Sequence, residues 1–304
     1  MTMRSTRRQF AASAAATMTL AALPTRLMAS SQPFAGGKLS SFSDGSMNLP
    51  IESVFYDIFD DDRQKFLQAA KVSDGIWRRP VNVNLLEIGE RKILFDVGSG
   101  LNFLPTLGEL PAALDAADVD ISAITDVVFT HAHPDHIWGI LDDFDDLLMP
   151  DAAYHISQAE WNFWDSDDAL TVMIPGRESF AVGAKSRFDK LRDQISFFQG
   201  GDEILSSIEA VDTSGHTPGH ASFLIHNSAG PVLIAGDALT HPVISLEHPE
   251  WHDPADMDRG KAALTRKRLL DRLASDKIGL AATHLPAPGF GRVETNQSVW
   301  RYIA

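Results

Sequence analysis

The stretch FTHAHPDHIWG, residues 129–139, sets three histidines and an aspartate within six positions: His131, His133, Asp135 and His136. A lone loop histidine is more often a satisfied structural residue than a ligand. Four clustered side chains with lone pairs ask for a cation. Neutral imidazole nitrogen and carboxylate oxygen suit Zn2+ and similar divalent ions. Alternate residues on an extended turn project together, so His131 and His133 can share one ion, leaving Asp135 and His136 to face a second. Three isolated residues extend the set: His216 in SGHTPGH (214–220), Asp237 in IAGDAL (234–239) and His284 in ATHLPAPG (282–289). With no cysteine in the chain, metal must be held by nitrogen and oxygen, and no thiolate can serve as nucleophile.

The elements that must position these residues read as strands ended by turns. ITDVVFT (124–130) is a short buried strand that runs straight into the histidine cluster, and similar segments precede His216, Asp237 and His284 at 208–213, 231–236 and 278–283. Function gathers on loops at strand ends, so this recurrence predicts convergence in space. Further strands are expected at 51–59, 81–89, 92–100, 152–157 and 221–226. Helices are expected between Pro105 and Pro111 and just beyond, and at 157–165, 178–199 and 256–274. This loose alternation in two strand-rich halves fits an α/β architecture of sheets sandwiched by helices.

The formal net charge of −15 disfavours a polyanionic partner such as nucleic acid. The first 29 residues stand apart, with Arg4, Arg7, Arg8 and Arg26 and no acid. STRRQF (5–10) leads into the small apolar run AASAAATMTLAAL and then RLMAS (26–30), the order of a twin-arginine export signal cleaved near Ala29. That run is too short for a stable membrane anchor, since a span needs roughly 20 apolar residues. The expectation is a signal peptide over 1–29, a flexible Ser/Gly-rich leader over 30–48, and one domain over 49–304. The export machinery is then a partner, and the periplasm the destination.

The ordered set HxHxDH, single His, Gly-Asp and final His resembles the metallo-β-lactamase superfamily, over residues 80 to 292. Within it, FDVGSGLNFLPTLG (95–108), SGHTPGH and HLPAPGFG (284–291) resemble the methyl parathion hydrolase-like group. The resemblance implies an αββα sandwich of two mixed sheets and two divalent ions, zinc by preference. It assigns His131, His133 and His216 to one ion and Asp135, His136 and His284 to the other, with Asp237 bridging. Asp135 and Asp237 thereby become the catalytic carboxylates, and Asp96 and His220 the residues that orient ligands.

The implied activity is hydrolysis of small uncharged esters or lactones, with organophosphate triesters a further class. The alternative is a non-hydrolytic metal-binding or iron redox member of the same superfamily. Trp161 and Trp164 share a helical face and are expected to form an aromatic wall over the metals. Thr240 is expected beside the substrate, at the position where lactonases of the superfamily place a Tyr. Trp138 replaces a usual glycine and should alter the cavity floor. His155, His226, His241, His248 and His252 lack motif support and read as structural. A homodimer is left open.

Overall fold

The computed structural model describes residues 30–34, 36–55, 60–69, 72–173, 177–296 and 299–304. The twin-arginine segment lies outside them. Two seven-stranded sheets form the centre. The first holds β1 (Ser30–Phe34), β2 (Gly37–Pro50), β3 (Ile76–Ile88), β4 (Arg91–Phe95), β5 (Asp126–Val128), β6 (Ala153–Ser157) and β7 (Ile195–Phe198), in chain order across the sheet. It is antiparallel up to β4 and parallel from there to β7. The second holds β8 (Glu203–Leu205), β9 (Ile208–Asp212), β10 (Ala221–Ile225), β11 (Val232–Ile234), β12 (Gly279–Ala281), β13 (Phe290–Asn296) and β14 (Val299–Ile303), with β11 and β12 parallel and the rest antiparallel.

Side-chain alternation explains why helices cover both outer faces. On β4, Ile93 and Phe95 point between the sheets, where they meet Phe223, Ile225 and Ile234, while Leu94 points outward. On β10, Leu224 points the other way, under a helix carrying Leu269, Leu270 and Leu273. Each large apolar side chain so buried contributes roughly 1.5–3 kcal/mol, and a strand apolar on both faces must be covered on both. The helices are α1 (Ile51–Val54), α2 (Asp60–Ala69), α3 (Leu110–Asp115), α4 (Pro134–Ile137), α5 (Gln158–Asp165), α6 (Asp168–Val172), α7 (Glu178–Leu191) and α8 (Arg259–Ser275). α5 and α7 cover the first sheet, and α8 covers the second. This is the expected αββα sandwich.

Three boundaries differ from expectation. The segment read as a flexible leader forms β1 and most of β2, and β2 pairs with β3 from Gly37 to Pro50. Its serines and glycines mask two fully buried side chains, Leu39 between the sheets and Phe42 on the helix-covered face. A bulge at Ser43/Gly45 lets the strand pass Leu107: Gly45 has φ +112°, and a Cβ there would stand 2.2 Å from the Thr106 carbonyl oxygen. Residues 51–54 are helix, not strand, because Ile51 and Val54, three apart, bury on one face. Residues 56–59 lie outside the described residues. Finally, α7 stops at Leu191, and ISFF (195–198) becomes edge strand β7, as β-branched and aromatic composition favours.

Candidate metal centre

The seven residues singled out by type and order meet at one end of the sandwich. β5 delivers HAHPDH, whose Pro134 opens α4 at a position where the missing N–H costs nothing. The β9–β10 loop brings His216, the turn after β11 brings Asp237, and the turn after β12 brings His284. All seven are buried.

Two groups share Asp237. His133 Nδ1 lies 2.9 Å from His131 Nε2 and 3.0 Å from His216 Nε2. Asp135 Oδ2 lies 3.4 Å from His136 Nε2 and 3.3 Å from His284 Nε2. Asp237 stands between them: Oδ1 is 3.3 Å from His136 Nε2 and 3.1 Å from His284 Nε2, while Oδ2 is 3.3 Å from His216 Nε2. Ligand atoms about 2.0–2.1 Å from a tetrahedral Zn2+ stand roughly 3.3 Å apart, so these separations fit an ion of that size. Among the described residues, Asp135 Oδ2, His136 Nε2, Asp237 Oδ1 and His284 Nε2 are buried without a hydrogen-bond partner. Four such atoms converging is a costly arrangement unless a cation satisfies them.

The electrostatics suit coordination at His131, His133 and the two carboxylates, whereas the neighbouring carboxylates outweigh burial at His136 and His284 and raise both, toward a proton that a cation would displace. Burial, followed by the charge of neighbouring imidazoles, pushes His131 and His133 well below the usual histidine range, so both are neutral donors. Burial works against ionisation of Asp135 and Asp237. Surrounding histidines outweigh it in both, helped by Arg79 at Asp237, and hold the carboxyls well below the usual range.

Hydrogen bonds to the far side of His136, His216 and His284 fix their tautomers. Asp96 Oδ2 lies 2.8 Å from His136 Nδ1, and the same carboxylate accepts from the Thr130 N–H and hydroxyl at 2.8 Å each. The Pro80 carbonyl holds His284 Nδ1 at 2.7 Å, and Asp256 Oδ1 holds His216 Nδ1 at 3.1 Å. Asp256 is in turn bound at 2.9 Å by Arg266, a buried cation. His220 Nε2 accepts the Asp237 N–H at 3.0 Å, so its proton sits on Nδ1, facing the Thr213 hydroxyl at 2.8 Å. Burial holds its pKa down at about 3, keeping it neutral in this role. Asp96 thus contacts His136, and His220 the Asp237 backbone, each on the side away from the clustered atoms.

Several charged residues here escaped sequence reading. Asp253 and Asp256 lie in an acidic loop that resembles a solvated turn, and only the His216 contact distinguishes Asp256. Glu160, beside the aromatic pair, accepts four hydrogen bonds, three from the two loops that carry the clustered histidines and one from the Trp164 indole on its own helix. Arg79 on β3 is buried against Asp237 and Asp253, each at 3.0 Å.

The expected substrate contacts need correction. Trp161 stacks on Phe188 at 4.1 Å, because the exposed-looking face of α5 packs against α7. Trp164 is fully buried, donating its indole N–H to Glu160 at 2.6 Å with its ring edge-on to His133 at 5.6 Å. Thr240 is buried and bonded to Ser245. None of the three lines the cavity of about 260 Å³ that opens over His133, Asp135, Asp237 and His284. Its apolar wall comes instead from Met47, Leu49, Val54, Phe103, Leu104 and Phe180. Trp138 acts one layer below: it meets Phe103 edge-on at 5.8 Å, and Gly183 makes room for it, since a Cβ there would stand 2.2 Å from its ring.

Residues 76–291 match the family model described as the metallo-beta-lactamase superfamily. Among curated proteins, the uncharacterized protein YobT of Bacillus subtilis (strain 168) is 30% identical over 159 residues, which make up 52% of this chain and 62% of YobT. The match therefore spans less than two thirds of that relative's length. Among solved structures, AidC, a dizinc quorum-quenching lactonase in complex with the product N-hexnoyl-L-homoserine, is 25% identical with a TM-score of 0.83, over 90% of this chain and 96% of AidC. The hydrolase AbOPH of the beta lactamase superfamily has the same TM-score and coverage at 23% identity. A probable metal-dependent hydrolase from Staphylococcus aureus superposes with a TM-score of 0.73 at 15% identity, over 90% of this chain and 98% of that one.

Proposed function

Since the chain belongs to the metallo-β-lactamase superfamily, we propose that it is a binuclear metallohydrolase of the methyl parathion hydrolase-like group, cleaving small apolar esters or lactones. Neutral organophosphate triesters form a second substrate class. The observation that carries this reading is the convergence of four buried, unpartnered donor atoms beneath an apolar cavity. Two divalent ions, zinc by the donor set, supply Lewis acidity and an activated water at neutral pH. His131, His133 and His216 would hold one, Asp135, His136 and His284 the other, and Asp237 turns one oxygen to each group. Asp96, Asp256 and the Pro80 carbonyl keep the imidazoles oriented before substrate arrives.

The cavity wall selects the substrate. Phe103 and Phe180 pack edge-on at 5.8 Å and present apolar surface to an acyl or aryl group. A chain of net charge −15 repels phosphodiester polyanions, whereas an uncharged ester meets no such barrier. AidC, a lactonase with its product N-hexnoyl-L-homoserine, supports the lactone arm of the proposal.

The test is elemental analysis of purified protein together with a substrate panel. Two zinc equivalents per chain, with turnover of p-nitrophenyl or naphthyl esters and an aryl lactone, is the expected result. One equivalent in fully active protein, or cleavage of phosphodiesters or penicillins with esters untouched, overturns it. Export by the twin-arginine route is proposed alongside. Arg7→Lys with Arg8→Lys should leave unprocessed protein in the cytoplasm, and normal periplasmic accumulation of that double variant excludes the route.

A further inference from the structure

Arg79 is an unusual residue to find inside a metal cavity. It lies on β3, directly before Pro80, whose carbonyl holds His284. Its side chain is buried, and so are its two partners. Nη2 donates to Asp237 Oδ2 at 3.0 Å, while Nη1 meets Asp253 Oδ2 at 3.0 Å. The guanidinium therefore spans two carboxylates that would otherwise repel each other in a site of low dielectric. Asp253 continues the chain: its backbone N–H donates to Asp256 Oδ2 at 3.1 Å, and Asp256 Oδ1 holds His216.

Asp237 has a demanding task if it serves both ligand groups, as the proposed function requires, because its carboxylate plane must present Oδ1 to His136 and His284 and Oδ2 to His216. Its backbone is fixed by His220. Among the described residues, the side-chain rotation is fixed from one direction, by Arg79 on Oδ2, and Oδ1 has no hydrogen bond.

We propose that Arg79 is a positioning residue: clamped between Asp253 and Asp237, it sets the rotation of the shared carboxylate and ties that carboxylate to the loop that orients His216. This rests on Asp237 being a shared ligand. The clamp needs a planar fork with two separate donors, which a lysine ammonium does not supply. Arg79 also borders the cavity, so contact with substrate is the competing role that the experiment must separate.

The experiment uses full-length protein stripped with chelator and titrated with Zn2+ alone against a chromophoric competitor, for wild type, Arg79→Lys, Arg79→Met, Asp253→Asn and the Arg79→Met/Asp253→Asn double variant. Arg79→Lys keeps the charge and guards against loss of folding, which circular dichroism checks. The expected result is that the weaker of two zinc equivalents loses about 10–100-fold in affinity in both Arg79 variants, the range seen when a residue supporting a ligand is removed. The double variant should lose little more than Arg79→Met, since both changes break one clamp. With a neutral ester, kcat should fall at unchanged KM. Two zinc equivalents bound with wild-type affinity by the Arg79 variants overturns the proposal. So does a raised KM with unchanged kcat, which makes Arg79 a substrate contact. Fewer than two equivalents in wild type brings down the binuclear reading itself, a result visible before any variant is compared.

Discussion

Glu160 offers a sharp test of how the two ligand loops are held together. It lies in the first turn of α5, fully buried. Oε1 accepts from the Ala132 N–H at 2.9 Å and the Trp164 indole at 2.6 Å, and Oε2 accepts from the Thr217 hydroxyl at 2.7 Å and the Gly219 N–H at 2.9 Å. Ala132 sits between His131 and His133, while Thr217 and Gly219 lie within the segment from His216 to His220. One carboxylate thus joins both ligand loops, and burial raises its pKa against the pull of those four donors.

Glu160→Gln keeps the shape but replaces one acceptor with a donor. The less damaging orientation puts the amide nitrogen at the ε2 position, where the Thr217 hydroxyl can turn to accept from it and Gly219 N–H is left unpaired. A buried unpaired donor costs about 1–3 kcal/mol, and the remaining bonds lose charge assistance while the neutral amide is cheaper to bury. The net expectation is a loss of about 2–3 kcal/mol. Glu160→Ala strands all four donors and opens a cavity, for a loss of about 4 kcal/mol or more. Urea unfolding of metal-free protein, followed by circular dichroism, reads both values. An unfolding free energy for Glu160→Gln within about 0.5 kcal/mol of wild type, the usual range for a surface change, would refute the argument.

Phe180→Ala should raise KM for aryl esters with little change in kcat, because its ring walls the cavity. Trp161→Ala should leave KM alone and instead cost about 3–5 kcal/mol of stability, having lost its stack on Phe188; steady-state kinetics beside urea unfolding distinguish the two. Asp44, buried beneath the Ser99 and Leu110 N–H groups, has its pKa raised to about 6 by burial from an ordinary 3.8. Between those values the folded state keeps a proton that the unfolded chain releases, so stability falls as pH rises from about 4 to 6, by about 3 kcal/mol. The stability difference between wild type and Asp44→Asn, measured across that window, should shrink accordingly, and a flat difference contradicts it.

The seven clustered residues were legible in the sequence because coordination chemistry restricts residue type, and because each lies just beyond a short apolar run that reads as strand. Burial on both faces made β4, β5 and β10 equally plain. β2 was hidden by composition: Ser40, Ser41 and Ser43 suggest a linker, and its buried apolar side chains are just Leu39, Phe42 and Met47. The aromatic wall failed for another reason. Helical spacing identifies the face that Trp161 and Trp164 share, but not whether that face meets α7 or the cavity.

The residues that support the ligands show where sequence reasoning stops and where it could have gone further. Asp256 and Glu160 are common types whose meaning comes from partners 40 and 28 or more positions away in the chain, which no local pattern encodes. Arg79 is different. Strand residues alternate, so in WRRPVNV the parity of Trp77, Val81 and Val83, all buried, falls on Arg79 and not on Arg78. Arg78 is indeed exposed and pairs with Asp74 at the surface. A cation assigned by parity to a buried face must find carboxylates there, because an unpaired buried charge is too costly to keep. The period of the strand thus assigns Arg79 a buried acid as partner, while its identity, Asp237 with Asp253, depends on loops 158 and 174 positions away that no strand pattern reaches.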